Sequence, residues 1–182
     1  MERKTHEINV GGVVRQLPVV RINDRISIAV LIIFSDVELT VKSAELLLER
    51  APEFDIIMTA EAKGIPLAYE MSRQSGKNYV VARKMSKLYM EDPIEIETQS
   101  ITTANKQRLF LDAGEARLLK GKKVLIIDDV ISTGGSLAAI EKLTEVAGGI
   151  IAGKMAILAE GIAVQRKDII FLDKIPLFED ED

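Results

Sequence analysis

The segment from Val124 to Ser136, with the sequence VLIIDDVISTGGS, constrains the fold more than any other part of the chain. Its continuous apolar beginning is typical of a parallel strand that is covered on both faces. The strand delivers two carboxylates, Asp128 and Asp129, at its end, and a turn rich in hydroxyls and glycines then enters a helix. This order predicts an α/β fold, in which ligands bind at the carboxyl edge of the sheet.

The rest of the chain alternates between short β runs and amphipathic helices. This alternation favours a central, mostly parallel sheet that is flanked by helices. We expect a single domain over residues 1–182, with a small hood lobe formed by about residues 1–34 and the C-terminal segment. Residues 85–106 are polar and weakly patterned, and we expect them to form a long flexible loop.

Composition narrows the chemistry. The chain has no cysteine, which removes disulfides, thiol nucleophiles and thiolate metal sites, and its single histidine, His6, gives no basis for a histidine triad. The net charge of −4 provides no overall basic surface for nucleic acid. No apolar run approaches the roughly 20 residues of a membrane helix, and the polar N-terminus lacks a signal-peptide core. We therefore expect a cytoplasmic protein without a nucleic-acid or membrane partner.

The turn after the carboxylates has the chemistry of a phosphate cradle. Gly134 and Gly135 allow the backbone to approach a ligand closely. The first turn of the helix leaves N–H groups without intrahelical partners and carries the positive end of the helix dipole, and such helix starts bind phosphate. The residues expected to bind a 5-phosphate through amides and hydroxyls are Ile131, Ser132, Thr133, Gly134, Gly135 and Ser136.

Asp128 and Asp129 lie next to this anion site, where they would repel a phosphate that they touched. They are better suited to accept hydrogen bonds from sugar hydroxyls or to act through Mg²⁺. Taken separately, the two aspartates are better explained as a strand end, and the Ser-Thr-Gly-Gly run as a helix cap. The joined pattern favours a site for ribose 5-phosphate.

The whole segment resembles the phosphoribosyl pyrophosphate (PRPP) motif of type I phosphoribosyltransferases, in which a hydrophobic strand, Asp-Asp, two or three residues and Thr-Gly-Gly-[Ser/Thr] follow one another. The resemblance extends from about Gly11 to Phe178. It implies the fold of that family, transfer of the phosphoribosyl group to a base, a role for Mg²⁺ and a homodimer. Asp128 and Asp129 would be the catalytic residues on the ribose, and one of them could take the proton of the base or contact Mg²⁺.

Two further segments resemble the pyrophosphate-binding parts of the family. The first is similar to its first pyrophosphate loop, which implies a cis peptide between Ala62 and Lys63 and a position near the partner subunit. The second resembles the Arg-Lys pair of the purine enzymes, although a solvated strand end explains that pair equally well when it is taken alone. The residues implicated in pyrophosphate binding are Glu61, Ala62, Lys63, Gly64, Arg83 and Lys84.

The purine base stays open between adenine and a 6-oxopurine such as xanthine. The Lys87-Leu88 pair resembles adenine enzymes, but residues 102–105 lack the acidic residue that those enzymes carry in the flexible loop. Glu160, at the end of a late strand, resembles a base-pocket carboxylate of xanthine enzymes, and a surface position explains it equally well. The loop residues implicated by these resemblances are Lys87, Ser100, Thr102 and Thr103.

Two functions of other classes compete with this interpretation. A regulator that binds PRPP without catalysis, as the purine repressor does, would need a DNA-binding module, and only about ten residues precede the first β segment. A phosphohydrolase or phospho-acceptor would use Asp128 as its nucleophile, and the Thr-Gly-Gly turn directly after the carboxylates does not suit that layout. We therefore favour the transferase.

Overall fold

The computed structural model describes residues 4–99 and 106–179 of the 182-residue chain. The helices are α1 Val37–Leu48, α2 Gly64–Ser75, α3 Ala113–Leu119 and α4 Gly135–Val146, with a short 3-10 helix at Gly161–Gln165. The strands are β1 Thr5–Val10, β2 Val13–Arg21, β3 Ile26–Ala29, β4 Ile56–Ala60, β5 Tyr79–Ala82, β6 Ile94–Gln99, β7 Lys106–Leu111, β8 Lys123–Ile131, β9 Ile150–Glu160, β10 Ile170–Ile175 and β11 Leu177–Glu179.

A parallel five-stranded sheet, in the order β10-β9-β8-β4-β5, lies at the centre of the fold. Side chains of β8 point alternately to its two faces. Val124 and Ile126 pack with α3, α4 and β7, whereas Leu125 and Ile127 pack with α1, α2 and the N-terminal strands. Cover on both faces explains why the strand sequence is apolar without a break, and the predicted α/β class is confirmed.

A second sheet, antiparallel and in the order β1-β2-β3-β11, unites the first strands with the last. Leu177 of β11 pairs with Ile28 of β3, so the C-terminal segment closes onto the N-terminal lobe. Arg15 of β2 donates to both carboxylate oxygens of Asp36, at 2.7 and 2.9 Å, and Asp36 caps α1. The N-terminal sheet is thereby tied to the central domain.

None of the helices in the described ranges is long and apolar enough to span a bilayer.

The segment that was predicted to be one long loop contains a β-hairpin. Residues 94–99 form β6, which pairs antiparallel with β7. The alternation Ile94, Glu95, Ile96, Glu97 explains the strand, because both isoleucines pack against the core while the glutamates face outward. Residues 100–105, with Ser100, Thr102 and Thr103, lie outside the described ranges, and a flexible loop there stays a prediction.

Candidate active site

The two carboxylates of β8 lie beyond the point where the neighbouring strand β4 stops pairing with it. β4 pairs with β8 only as far as Ile126, whereas β9 pairs with it up to Ile131. Asp128 and Asp129 therefore lie within the strand rather than at its end, because the pairing with β9 continues beyond them. The flank that faces β4 is open at this point, and a cavity of about 530 Å³ occupies it.

The large cavity brings together both predicted catalytic aspartates and four of the six residues that were implicated in pyrophosphate binding. Its walls come from the turn after β4, the segment after β5, the strand β7, the end of β8 and the start of α4. The residues that line it are Ala60, Glu61, Ala62, Lys63, Lys84, Arg108, Leu109, Asp128, Asp129, Val130 and Ser136. Arg83 and Gly64 are not among them, and the Arg83 guanidinium donates to Glu61 at 3.3 Å.

Lys63 and Asp129 form a close ion pair across the cavity. The Lys63 ammonium lies 2.5 Å from Oδ2 of the buried Asp129 and also donates to the carbonyl oxygen of Leu31 at 3.4 Å. Lys63 directly precedes α2, so the turn between β4 and α2 carries this cation onto a carboxylate of β8. The ammonium that was expected to bind pyrophosphate is thus already engaged by an acid of the same cavity.

Asp128 lies beside this pair in a crowded position. A Cβ built on Gly64 would lie 2.2 Å from Thr59 Oγ1 and 3.2 Å from Asp128 Oδ1, so only glycine fits there. Burial, followed by the charge of Asp129 and a hydrogen bond with it, raises the pKa of Asp128 to about 8. The shift favours the protonated form of Asp128, which can donate as well as accept a hydrogen bond.

Glu61 holds the basic residues that follow β5. Its carboxylate accepts from the backbone N–H of Lys84 at 2.9 Å and lies 3.3 Å from the Arg83 guanidinium and 3.9 Å from the Lys87 ammonium. Burial opposes the charge of Glu61, but the Lys84 amide and the two cations outweigh burial and lower its pKa. Glu61 therefore stays ionised and positions these basic residues around the cavity.

The cis peptide of this turn lies one bond earlier than the resemblance placed it. It joins Glu61 and Ala62 rather than Ala62 and Lys63. Lys63 already has helical backbone angles, φ −73° and ψ −25°, so the chain must change direction before that residue. The residue types thus identified the loop, but they did not place its cis peptide at the correct bond.

A smaller cavity of about 100 Å³ lies at the start of α4. Gly134 precedes the helix with φ +83°, a left-handed conformation that favours glycine. The Thr133 N–H donates to Ser132 Oγ at 2.6 Å, and the Ala138 N–H donates to the carbonyl oxygen of Gly134 at 2.8 Å in the first turn of the helix. Gly135, Ser136 and Leu137 precede Ala138 and border the cavity. The residues that line it are Asp128, Val130, Ile131, Ser132, Thr133, Gly134, Gly135, Ser136 and Leu137.

The helices divide by how their first turns are capped. Asp36 caps α1 and Asp112 caps α3, each through a side-chain oxygen that accepts a backbone N–H. The starts of α2 and α4 have no side-chain cap, and these two helix starts border the two cavities. Uncapped helix starts offer N–H donors and a positive dipole end to an anion.

The two cavities adjoin each other, because Asp128, Val130 and Ser136 line both of them. The carboxylates are thus adjacent to the turn at Thr133, as the sequence pattern predicted. Glu160 lies close by but lines neither cavity. It is buried, its Oε1 has no hydrogen-bond partner among the described residues, and burial raises its pKa against the effects of Ser132 and Lys63.

Side chains of the described ranges do not form a metal-binding cluster by themselves, since no three Asp, Glu or His residues come together there. Asp129 is engaged by Lys63, whereas Asp128 faces both cavities. Mg²⁺ commonly uses one or two carboxylates together with substrate phosphates and water. The donor set therefore fits a magnesium ion that is held mainly by substrate, with Asp128 as the nearest protein carboxyl group.

Two arginines at this edge of the sheet were not predicted, one that lines the large cavity and one that lies against the cradle turn. Arg108 of β7 lines the large cavity, and its position there depends on the hairpin register with β6. Arg166 faces the Gly134 turn from the segment after β9. A signal for Arg166 was available, because segments that follow parallel strands lie at the same edge of the sheet as the cradle.

Comparison with known proteins agrees with this geometry. Residues 39–174 match the model of the phosphoribosyl transferase domain. A hypoxanthine/guanine phosphoribosyltransferase of Methanothrix thermoacetophila is 34% identical over 114 residues, which are 63% of this chain and 56% of the relative. An adenine phosphoribosyltransferase of Thermosipho africanus is 34% identical over 155 residues, which are 76% of this chain and 84% of the relative. The match thus spans little more than half of the archaeal relative.

Solved structures show the same fold. The adenine phosphoribosyltransferase of Thermoanaerobacter pseudethanolicus superposes with a TM-score of 0.67 at 24% identity, over 93% of this chain and 95% of that chain. The enzyme of Saccharomyces cerevisiae superposes with a TM-score of 0.65 at 20% identity, over 92% of both chains. The chain therefore belongs to the phosphoribosyl transferase domain family and has the type I phosphoribosyltransferase fold.

Proposed function

We propose that this protein is a purine phosphoribosyltransferase, which transfers the 5-phosphoribosyl group of PRPP to adenine or a 6-oxopurine and releases pyrophosphate. The observation that carries the proposal is the order of features along the sheet edge. An uncapped helix start, two carboxylates and a cavity that is also lined by Lys63, Lys84 and Arg108 follow one another without interruption. Phosphate, ribose and pyrophosphate follow one another in the same order in PRPP.

The cradle at the start of α4 would hold the 5-phosphate through the amides of Gly135 and Ser136. The two acids would hold the ribose hydroxyls, with a protonated Asp128 able to donate and Asp129 fixed in place by Lys63. A ribose gripped at both its phosphate and its hydroxyls presents C1 in one orientation. This restraint lowers the entropy cost of reaching the transition state.

The reaction breaks the bond between C1 and the pyrophosphate oxygen and forms a bond between C1 and a ring nitrogen of the base. Negative charge grows on pyrophosphate while positive charge grows on the ribose. Lys63 and Lys84 line the cavity in which the leaving group would lie, and the Arg83 guanidinium donates to Glu61. Mg²⁺, when bound with the substrate, would neutralise further charge on the phosphate oxygens. The carboxylate of Asp129 would stabilise the cationic ribose.

The choice of base rests on fewer contacts. Glu160 has a buried carboxyl oxygen without a hydrogen-bond partner in the described part of the chain, and such a group is satisfied when a ligand N–H reaches it. An amino group or a ring N–H of a purine has this chemistry. The matched relatives named above include both hypoxanthine/guanine and adenine enzymes, so both kinds of base belong in the test.

A panel assay tests the function. The protein would be incubated with PRPP, Mg²⁺ and each of adenine, hypoxanthine, guanine, xanthine and uracil, and nucleotide and pyrophosphate would be measured together. We expect turnover with at least one purine and none with uracil. Turnover of uracil alone would refute the purine assignment. Tight binding of PRPP without turnover of any base would favour the non-catalytic regulator, which a gel shift on purine operon DNA would then test.

We also propose that the chain forms a homodimer. Val37, Val41 and Tyr69 are exposed around a groove of about 220 Å³ between α1 and α2, next to the turn that carries Lys63. Burial of this apolar surface by a second copy would favour association. Sedimentation equilibrium should give twice the chain mass, and Tyr69→Glu should shift the equilibrium toward the monomer. A monomeric mass at micromolar concentration would rule the dimer out.

A further inference from the structure

Arg166 directs one end of its guanidinium at the phosphate cradle. A Cβ built on Gly134 would lie 2.9 Å from Arg166 Nη1, so this nitrogen lies directly against the turn. The other edge of the guanidinium is occupied, since Nε and Nη2 donate to the two carboxylate oxygens of Asp168 at 2.9 and 2.6 Å. The bidentate pair fixes the plane of the guanidinium and leaves Nη1 on the side of the Gly134 turn.

The pair is itself held by a chain of charges that starts on the cradle helix. Glu141 of α4 accepts from Lys154 of β9 at 2.6 Å, and Lys154 also donates to Asp168. Hydrogen bonds from Arg166, and then from Lys154, lower the pKa of Asp168 far below its usual value, so it stays ionised. The contacts thus run from α4 through β9 and Asp168 to Arg166 and return to Gly134 at the start of α4.

This network links more charged groups, and buries them more deeply, than an isolated surface ion pair does. Lys154 and Glu141 are largely buried, with 16% and 24% of their side chains exposed, whereas Arg166 and Asp168 are more open. The buried end of the network is anchored on the same helix whose amides form the cradle. A cation fixed to that helix keeps a constant position relative to a phosphate bound at its start, and arginine is well suited to binding phosphate oxygens.

We propose that Arg166 is a binding residue for the 5-phosphate, and that Asp168 and Lys154 position it. The proposal rests on the proposed function, since it assigns a ligand to the cradle. Nη1 would donate to a phosphate oxygen on the side of the ligand away from the α4 amides. The phosphate would then be bound between backbone donors of one segment and a side-chain cation from another.

Isothermal titration calorimetry with two separate ligands tests the assignment. Ribose 5-phosphate occupies the cradle side of the site, and pyrophosphate with Mg²⁺ occupies the other side. Arg166→Gln should weaken ribose 5-phosphate binding by about ten- to a hundredfold, the range for a lost hydrogen bond to a charged group. It should change pyrophosphate binding by less than about twofold. Lys167→Gln, which removes the same charge from the adjacent exposed position, should leave both affinities unchanged.

Two more variants separate binding from structure. Asp168→Asn keeps Arg166 but weakens its anchor, and it should reduce ribose 5-phosphate affinity by a smaller factor than Arg166→Gln. If Arg166→Gln loses both ligands because the site collapses, Arg166→Lys must show the selective loss for ribose 5-phosphate, and its absence refutes the proposal. Unchanged ribose 5-phosphate affinity in Arg166→Gln, with normal binding by the wild type, overturns the assignment of Arg166 alone. A wild type that binds neither ligand overturns the proposed function together with it.

Discussion

The smaller cavity is lined mainly by consecutive residues around the start of α4 and offers the N–H groups of a helix start, whereas the larger cavity is lined by residues from five separate segments. Charges of the larger cavity are already paired, Lys63 with Asp129 inside the cavity and Glu61 with the neighbouring Arg83. The cradle is therefore built for its anion before the anion arrives. In the larger cavity, charged side chains must give up ion pairs with one another before they can bind a ligand.

This difference predicts which kinds of change should affect ligand binding at each cavity. Backbone donors cannot be removed by changing a side chain, so the cradle should respond to backbone geometry and steric change. The charged cavity should respond to single changes of charge, to pH and to salt, because each of its groups depends on the others. The following predictions test that division, and they assume the proposed function.

The largest effect is expected from Asp129→Asn. This change removes the acceptor of the 2.5 Å contact with Lys63 and a carboxylate at the expected position of the ribose. Loss of a preorganised charge at a reacting centre lowers turnover by about 100- to 1,000-fold. Steady-state kinetics with PRPP and the best purine would measure it. Asp24→Asn, at an exposed position away from both cavities, serves as the control. Turnover within about threefold of wild type for Asp129→Asn would contradict the role of this acid.

Gly134→Ala tests the cradle and should raise the KM for PRPP about tenfold. The substitution has two costs, the left-handed backbone at φ +83° and a Cβ 2.9 Å from Arg166 Nη1. Gly121 is a matched control, since it has φ +71° and nothing within 4 Å of a built Cβ. Both variants should lose about 1–2 kcal/mol of stability through the backbone alone. Equal KM values for the two variants would show that the cradle turn is not sensitive to added volume.

The same contrast explains which parts were predictable from sequence. The cradle and its acids are contiguous in the chain, so their residue types and spacing specify them together. Arg108 reaches the site through the register of β6 with β7, and Arg166 reaches it through the crossover after β9. Neither position has a local pattern. The parallel sheet was inferable from the alternation of elements, but the length of β8 depends on its pairing with β9 beyond the end of β4.

A pH series tests the coupled charges. The pKa of Asp128 is raised from 3.8 to about 8 in the folded chain, so the folded state binds more protons than the unfolded state between those values. Asp128 therefore contributes stability at low pH that is lost as pH rises from about 4 to about 8, by at most about 1.4 kcal/mol per pH unit. Urea unfolding at pH 5, 7 and 9 should show that Asp128→Asn gains stability relative to wild type as pH rises. A constant difference across the series would show that Asp128 is ionised throughout, and Thr133→Ala in the cradle should show such a constant difference.

Substitution of Arg108 should give the smallest effect. It tests whether this exposed side chain belongs to the coupled charges of the larger cavity. Its guanidinium lies 3.1 Å from Glu97 and 3.4 Å from Glu95, yet 55% of the side chain is exposed. Exposed ion pairs contribute only about 0.2–1 kcal/mol, so Arg108→Gln should raise the KM for PRPP about two- to threefold with kcat unchanged. Glu95→Gln should act in the opposite direction, because it releases the arginine toward the cavity. Both effects should shrink in about 1 M salt, where the Debye length is about 3 Å. A large fall in kcat that salt leaves unchanged would instead place Arg108 with Lys63 and Asp129 among the tightly paired groups of the large cavity.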